Sequence, residues 1–228
     1  MFQEYLPALL QGMLITLQLA ICAVVLAISI GLLGALGKLS KNRLIASVFK
    51  LYTSVIRGIP DLVLMLLVFY GVQIWANMLT KALGFAHVDI DPMIAGIITL
   101  GFIYGAYFTE TFRGAYLAVS KGQIEAAKAF GFSGRQTFVY ILFPQMMRFA
   151  LPGIANNWLV ILKATALVSI LGLQDLIKVT KLAGVVTHQP LYFALVAGGF
   201  YLFFTTVSHL ILWWIERHYS IGMKKTIL

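Results

Sequence analysis

Glu110 and Arg113 lie three residues apart at the end of an apolar stretch, a spacing that puts carboxylate and guanidinium on one helical face and lets them pair. Pairing offsets the several kcal/mol that either would cost alone in hydrocarbon. Asp61 follows a Gly58-Ile59-Pro60 break, and Lys163 sits midway along another apolar stretch near Asn156, Asn157, Thr165 and Ser169. Ionisable and polar groups at such depth either handle a charged solute or tie helices together, and these residue types suit both roles. Covalent and metal chemistry find no foothold. His87, His188, His209 and His218 are scattered, with no ligand-like spacing to one another or to Cys22. Cys22 is the single cysteine, so no disulfide within the chain is possible and the redox compartment is left open. The run Gly34-Ala35-Leu36-Gly37-Lys38-Leu39-Ser40 has a misplaced first glycine for a phosphate loop and Leu39 where a magnesium-binding hydroxyl is required. No nucleotide, cofactor or metal is expected on this chain, and no nucleophile has a paired base.

Such groups need membrane helices to hold them at depth, and the composition supplies these. Hydrophobic residues make up 61% and charged residues 11% of the 228 positions, which excludes a soluble globule. Uncharged stretches cover residues 5–37, 62–80, 92–109, 149–173 with only Lys163 inside, and 182–215. Each reaches the ~18 to 20 residues that cross a hydrocarbon core about 30 Å thick. The last is long, but residues 184–190, with His188, read as a loop, leaving a span over 191–215. The fold class is therefore an all-α membrane protein of five transmembrane helices in a single domain, residues 1–228. The first stretch has no basic region before it and is too long for a signal's apolar core, so it is kept as a span. Gly101 and Gly105 form a small-xxx-small pair suited to close helix contact.

Between the third and fourth spans, residues 120–144 form a polar elbow. Ser120 with Gln123, then Ser133 with Gln136, match the capping-box pattern, and Gly131 stands where a helix end favours a left-handed residue. These signals predict a helix from about Lys121 to Phe130 and a second through Tyr140 and Leu142, which Pro144 ends or kinks. The paired Ala126 and Ala127 leave a narrow face that another protein's groove can approach, while Lys121, Lys128 and Arg135 keep the rest solvated. An interfacial amphipathic hairpin with no partner fits the same residues. Residues 44–56 place Leu44, Val48, Phe49, Tyr52, Val55 and Ile56 at helical spacing between basic residues, predicting an amphipathic helix ahead of the Gly58-Ile59-Pro60 break.

The net charge of +9 gives an orientation. Lys38, Lys41, Arg43, Lys50 and Arg57 follow span one; Arg113, Lys121, Lys128, Arg135 and Arg148 surround the elbow; Arg217, Lys224 and Lys225 close the chain. With five spans all three groups share one side, opposite Lys81, Lys178 and Lys181, so the elbow and C-terminus are expected in the cytoplasm and the N-terminus outside. These cations are dispersed beside apolar spans rather than gathered in a stripe, which excludes nucleic acid as the partner.

The pattern Glu125-Ala126-Ala127, then Gly131, Ile141 and Pro144, resembles the cytoplasmic loop of binding-protein-dependent ABC importer permeases, with Phe143 where that family usually has leucine. Arg57-Gly58-Ile59-Pro60-Asp61-Leu62-Val63-Leu64 and Tyr107-Phe108-Thr109-Glu110-Thr111-Phe112-Arg113-Gly114-Ala115 resemble its polar amino-acid branch. Over nearly its whole length the chain is similar to permease subunits of histidine/lysine/arginine/ornithine importers, the type that pairs with a second, homologous permease. The resemblance implies the type I ABC importer permease (MetI-like) fold in a bacterial inner membrane. Two ABC ATPase subunits that bind ATP and magnesium would grip the elbow, and a periplasmic amino-acid-binding protein would deliver the substrate. It further implies Glu125 as a polar anchor, Gly131 as the turn and Pro144 as the stop that transmits motion; separately, because other buried acids are scarce, Asp61 and Glu110 are expected to make the path favourable to cations. Ala164 stands after Lys163 where many relatives carry an acid, so the partner permease would make that contact. An ion-coupled carrier or channel is the competing class.

Overall fold

The computed structural model describes residues 2–219, and those residues are helical throughout, with short connections. Lys224 and Lys225 of the third basic group lie outside them. Helix α1 runs Phe2–Lys38, α2 Arg43–Ile56, α3 Asp61–Ala82, α4 Pro92–Ala118 and α5 Lys121–Ala129. A single turn, α6 (Gly134–Gln136), leads through a π-helical stretch (Thr137–Leu142) into α7 (Phe143–Val168), followed by α8 (Leu176–Val186) and α9 (Pro190–Tyr219). Five helical segments are long and apolar enough to cross a membrane: Gln3–Lys38, Asp61–Ala82, Pro92–Ala118, Gly134–Leu171 and Pro190–Arg217. These match the expected five spans, and the differences lie at their ends.

Helix α4 is the hub. Its apolar window is 61% buried inside the protein, against 11% for α3 and α9, so α1 and α7 pack on α4 and α8 on α1, while the other two long helices stand at the periphery. The α1–α4 contact depends on missing side chains. A methyl group at Gly31 would lie 2.4 Å from Phe108 Cβ, at Gly34 2.1 Å from Thr109 Oγ1, at Gly101 2.6 Å from Leu26 Cδ2 and at Gly105 2.6 Å from Ile30 Cγ2. Backbones this close gain dispersion contacts that lipid-facing side chains do not supply.

Helix α2 starts on Asn42, whose side chain accepts the Leu44 amide at 2.9 Å, and presses Phe49 onto Gly37 of α1. The chain breaks at Gly58-Ile59-Pro60 and α3 begins at Asp61, as the sequence pattern predicts. Two expectations change. Span four starts at Gly134, not Phe149, because the helix passes through Pro144 without stopping. Residues 184–186 belong to α8, leaving only Thr187–Gln189 as the turn; His188 takes a left-handed conformation there (φ 55°), and Pro190 Cα lies 2.9 Å from where a Cβ on Gly184 would be. The polar start of α8, with Lys178 and Lys181, masks it in a hydropathy reading.

Candidate functional site

The elbow is one capped helix joined to the foot of a span. Helix α5 ends in a Schellman motif: the Phe132 amide donates to Ala127 O and the Gly131 amide to Lys128 O, both at 3.0 Å, with Gly131 at φ +79°. Ser133 and Gln136 complete a capping box, Ser133 N–H donating to Gln136 Oε1 at 2.8 Å and Gln136 N–H to Ser133 Oγ at 3.3 Å. The Ser120 box does not form; Ser120 offers its backbone carbonyl to the Gln123 amide, and the Gln123 side chain accepts from Gln145 Nε2 at 3.3 Å, bracing α5 against α7. The second arm of the elbow is not a separate helix. Pro144 has no N–H to give, and just before it the ladder widens to the π pattern, with Phe143 N–H donating to Phe138 O.

Glu125 and Ala126 face outward while Ala127 is buried, so the paired alanines split between the outward and inward faces. Ile141 and Pro144 are half-buried at the span's foot. Phe130 (84% exposed) and Tyr140 (67% exposed) lie open on the same elbow, and aromatic side chains left open on a polar elbow suit anchorage in a partner's pocket. Sequence reasoning passed over both; Phe130, directly before the turn glycine of a polar segment, was the available signal.

The half-buried charges form a network larger than the expected pair. Arg113 Nε donates to Glu110 Oε2 at 3.2 Å, and Lys38, at the end of α1, reaches Glu110 Oε1 and donates to Thr53 Oγ1 of α2 at 2.8 Å. Glu110 is thus held between two cations and links three helices. Asp61 Oδ2 accepts the Tyr104 hydroxyl at 2.7 Å, tying α3 to α4. On α7 the polar residues separate. Asn157 is buried and donates from Nδ2 to Thr111 Oγ1 at 3.2 Å, and Thr165 is buried with its hydroxyl bonded to Leu162 O at 2.7 Å and 3.2 Å from the Tyr201 hydroxyl. Asn156 and Lys163, seven residues apart, are exposed on the opposite stripe together with Phe149 and Ile170.

Asp175, before α8, is a buried carboxylate that the sequence did not single out. Its Oδ1 accepts the Lys178 amide at 2.9 Å, whereas Oδ2 has no hydrogen-bond partner, and the α1 backbone at Gly12 lies against it. Burial pushes its pKa up to about 6, against the pull of that amide, of its own backbone amide and of the Lys178 charge. An acid whose folded value is raised adds stability that is complete below the ordinary value of 3.8 and lost as pH rises through about 6. Apparent Tm in detergent is therefore expected to fall between pH 5 and pH 7.5, and Asp175→Asn to flatten that slope. An unchanged slope in the variant would remove Asp175 from this role.

Comparisons with known proteins agree with this geometry. A family described as "Binding-protein-dependent transport system inner membrane component" matches residues 23–221. The chain is 63% identical over 228 residues, all of both chains, to the "Histidine/lysine/arginine/ornithine transport system permease protein HisQ" of Escherichia coli (strain K12). It is 36% identical over 208 residues, 91% of each chain, to the "Arginine ABC transporter permease protein ArtQ" of Haemophilus influenzae. Among solved structures, an amino acid ABC transporter with histidines superposes with a TM-score of 0.81 at 30% identity, covering 95% of this chain and 96% of that one. An inward-facing MetNI methionine ABC transporter shares the fold, with a TM-score of 0.71 at 17% identity, over 96% of this chain and 99% of that one.

Proposed function

Because this chain belongs to the family of binding-protein-dependent transport system inner membrane components, we propose that it moves basic amino acids such as histidine, lysine, arginine or ornithine into the cell. It is a permease subunit of an ABC amino acid importer in the bacterial inner membrane, and it hydrolyses nothing itself; ATP and magnesium belong to a separate ATPase subunit. A second, homologous permease completes the path, two ATPases hold the elbows, and a periplasmic binding protein delivers substrate.

The observation that carries this reading is the elbow: an exposed short helix, capped at its C-terminal end by the Gly131 turn and braced through Gln123 to the foot of a span. In this reading Glu125, Ala126 and Phe130 enter a groove on the ATPase from the cytoplasm. Gly131 sets the angle of α5, and Ile141 and Pro144 pass movement directly into α7. Because the second arm is the start of span four, a few ångströms of movement at α5 needs no hinge to reach the membrane. ATP binding shifts the balance between inward and outward states by its differential affinity for them. Asn156 and Lys163 face the cleft shared with the second permease. Asp61, Glu110, Arg113, Asn157 and Thr165 shape the path from behind, Glu110 with its charge balanced by Lys38 and Arg113.

Reconstitution of the assembly with its ATPase and binding protein in liposomes tests the reading. Uptake of labelled lysine, arginine or histidine is expected only with internal ATP and external binding protein, and loaded binding protein is expected to stimulate hydrolysis. Uptake by the permeases alone, driven by an ion gradient, would establish the carrier reading instead.

A further inference from the structure

Helix α2 has three distinct faces, one more than burial against the bundle requires. Successive residues advance about 100° around a helix. Phe49, Tyr52, Thr53 and Ile56 form the face turned to α1 and α4, where Phe49 meets Gly37 and Thr53 receives Lys38. Leu44, Val48, Leu51 and Val55, between 45% and 74% exposed, form a second apolar ridge that nothing among the described residues covers. Arg43, Ser47, Lys50 and Ser54, all exposed, form the third.

The charges on this stretch are of one sign. From Tyr5 to Pro60 the sequence holds five cations and no Asp or Glu. Two are already engaged: Lys38 with Glu110, and Arg57 with its guanidinium 5.3 Å from the Tyr107 ring centroid. Lys41, Arg43 and Lys50 have no side-chain partner among the described residues, and all three are exposed. A helix with one side on the bundle, an apolar ridge beside that side and unpaired cations beyond the ridge has the geometry of a helix lying in a membrane interface. Clustered cations there attract anionic headgroups.

We propose that α2 is a binding surface for anionic phospholipid: Lys41, Arg43 and Lys50 hold the headgroup phosphates while Leu44, Val48, Leu51 and Val55 lie in the acyl boundary. The proposal rests on the membrane orientation proposed above, which puts this surface in the cytoplasmic leaflet. Lipid bound there would hold α2 against α1 and α4 and so keep the break at Gly58-Ile59-Pro60, and the start of α3, in place.

The test uses the complete importer purified from membranes and returned to nanodiscs of phosphatidylcholine, with or without phosphatidylglycerol. Native mass spectrometry is expected to find phosphatidylglycerol retained by the wild type. Lys41→Gln/Arg43→Gln/Lys50→Gln should at least halve the retained copies and remove the rise in apparent Tm that this lipid gives; Lys41→Arg/Arg43→Lys/Lys50→Arg should keep both. Equal retention in the glutamine variant would overturn the proposal. A second measurement needs no change of charge. In a Cys22→Ala background, a nitroxide at Leu51→Cys should collide more with oxygen dissolved in lipid than with a water-soluble nickel complex, and one at Ser47→Cys the reverse. A Leu51 label shielded from both until the ATPases are removed would mean that protein covers the ridge, and would also overturn it. These readouts require no transport, so an assembly that retains lipid through the three cations yet fails in uptake would sink the importer reading and leave this one standing.

Discussion

Replacing Gly131 with valine is expected to abolish ATP-driven uptake while the protein stays in the membrane at wild-type abundance. The reason is conformational. A Cβ at Gly131 would meet nothing within 4 Å, so there is no clash to relieve, but the residue holds φ at +79°. That left-handed region costs an ordinary L-residue about 1–2 kcal/mol, and a β-branched one more. The short α5 has little to set against it. The Gly131 and Phe132 amide bonds to Lys128 and Ala127 both need the left-handed turn, so escaping the strain re-aims α5 relative to α7. The spans themselves should keep their burial, because a side chain at this position meets nothing within 4 Å of its Cβ, so the variant should unfold near the wild-type temperature. Gly131→Asn provides the control, since asparagine tolerates this region, and should keep most of its uptake. Stimulation of ATP hydrolysis by loaded binding protein is the paired measurement. Wild-type uptake by the valine variant would show that the angle of α5 does not carry coupling.

The same turn shows what could be read in advance. Gly131, the Ser133–Gln136 box and the five apolar stretches act over a few residues, and the chain states such chemistry locally. The amphipathic α2 was legible for the same reason. What escaped depends on distance. Lys38 looks like a routine basic residue at the end of a span until folding sets it beside Glu110, 72 positions away. Asp175 reads as an ordinary helix cap; its burial comes from α1, where the Leu176 amide donates to Thr16 Oγ1 at 3.1 Å across 160 positions. The two alanines of the elbow read as one face in the sequence, because pair spacing says nothing of which side a later span will cover. Span four reads as starting late because proline signals a stop, whereas a stretch of π helix before Pro144 lets the segment run on. The Ser120 pattern failed for a smaller reason: Gln123 is drawn to Gln145 on a neighbouring helix, and no local rule weighs that competition.

Substituting Gly31 with alanine should be the most destabilising glycine-to-alanine change among the described residues, opposite in sign to the same change at Gly71. In an exposed helix interior, glycine to alanine gains about 1 kcal/mol of propensity. Gly71, in α3, has nothing within 4 Å of an added Cβ, so that gain should be realised and apparent Tm should rise slightly. At Gly31 the new methyl would lie 2.4 Å from Phe108 Cβ, 3.0 Å from its carbonyl carbon and 3.2 Å from its Cα. These atoms cannot rotate away, unlike the tip of a flexible side chain, so α1 and α4 must separate. Overfilling of a close contact costs about 1–3 kcal/mol before neighbouring losses, and here the neighbours are Gly34 on Thr109, Ile30 on Gly105 and the Lys38–Glu110 bond at the same helix end. The cost therefore exceeds the propensity gain. Gly31→Ala is expected to lower apparent Tm by several degrees and Gly31→Val to reduce the yield of assembled complex, both readable by thermal unfolding and size-exclusion in detergent. Since α4 is shared by α1, α2, α3 and α7, the loss should reach uptake as well. A Gly31→Ala protein as stable as the Gly71→Ala one would mean that the α1–α4 contact is looser than the distances to Phe108 imply.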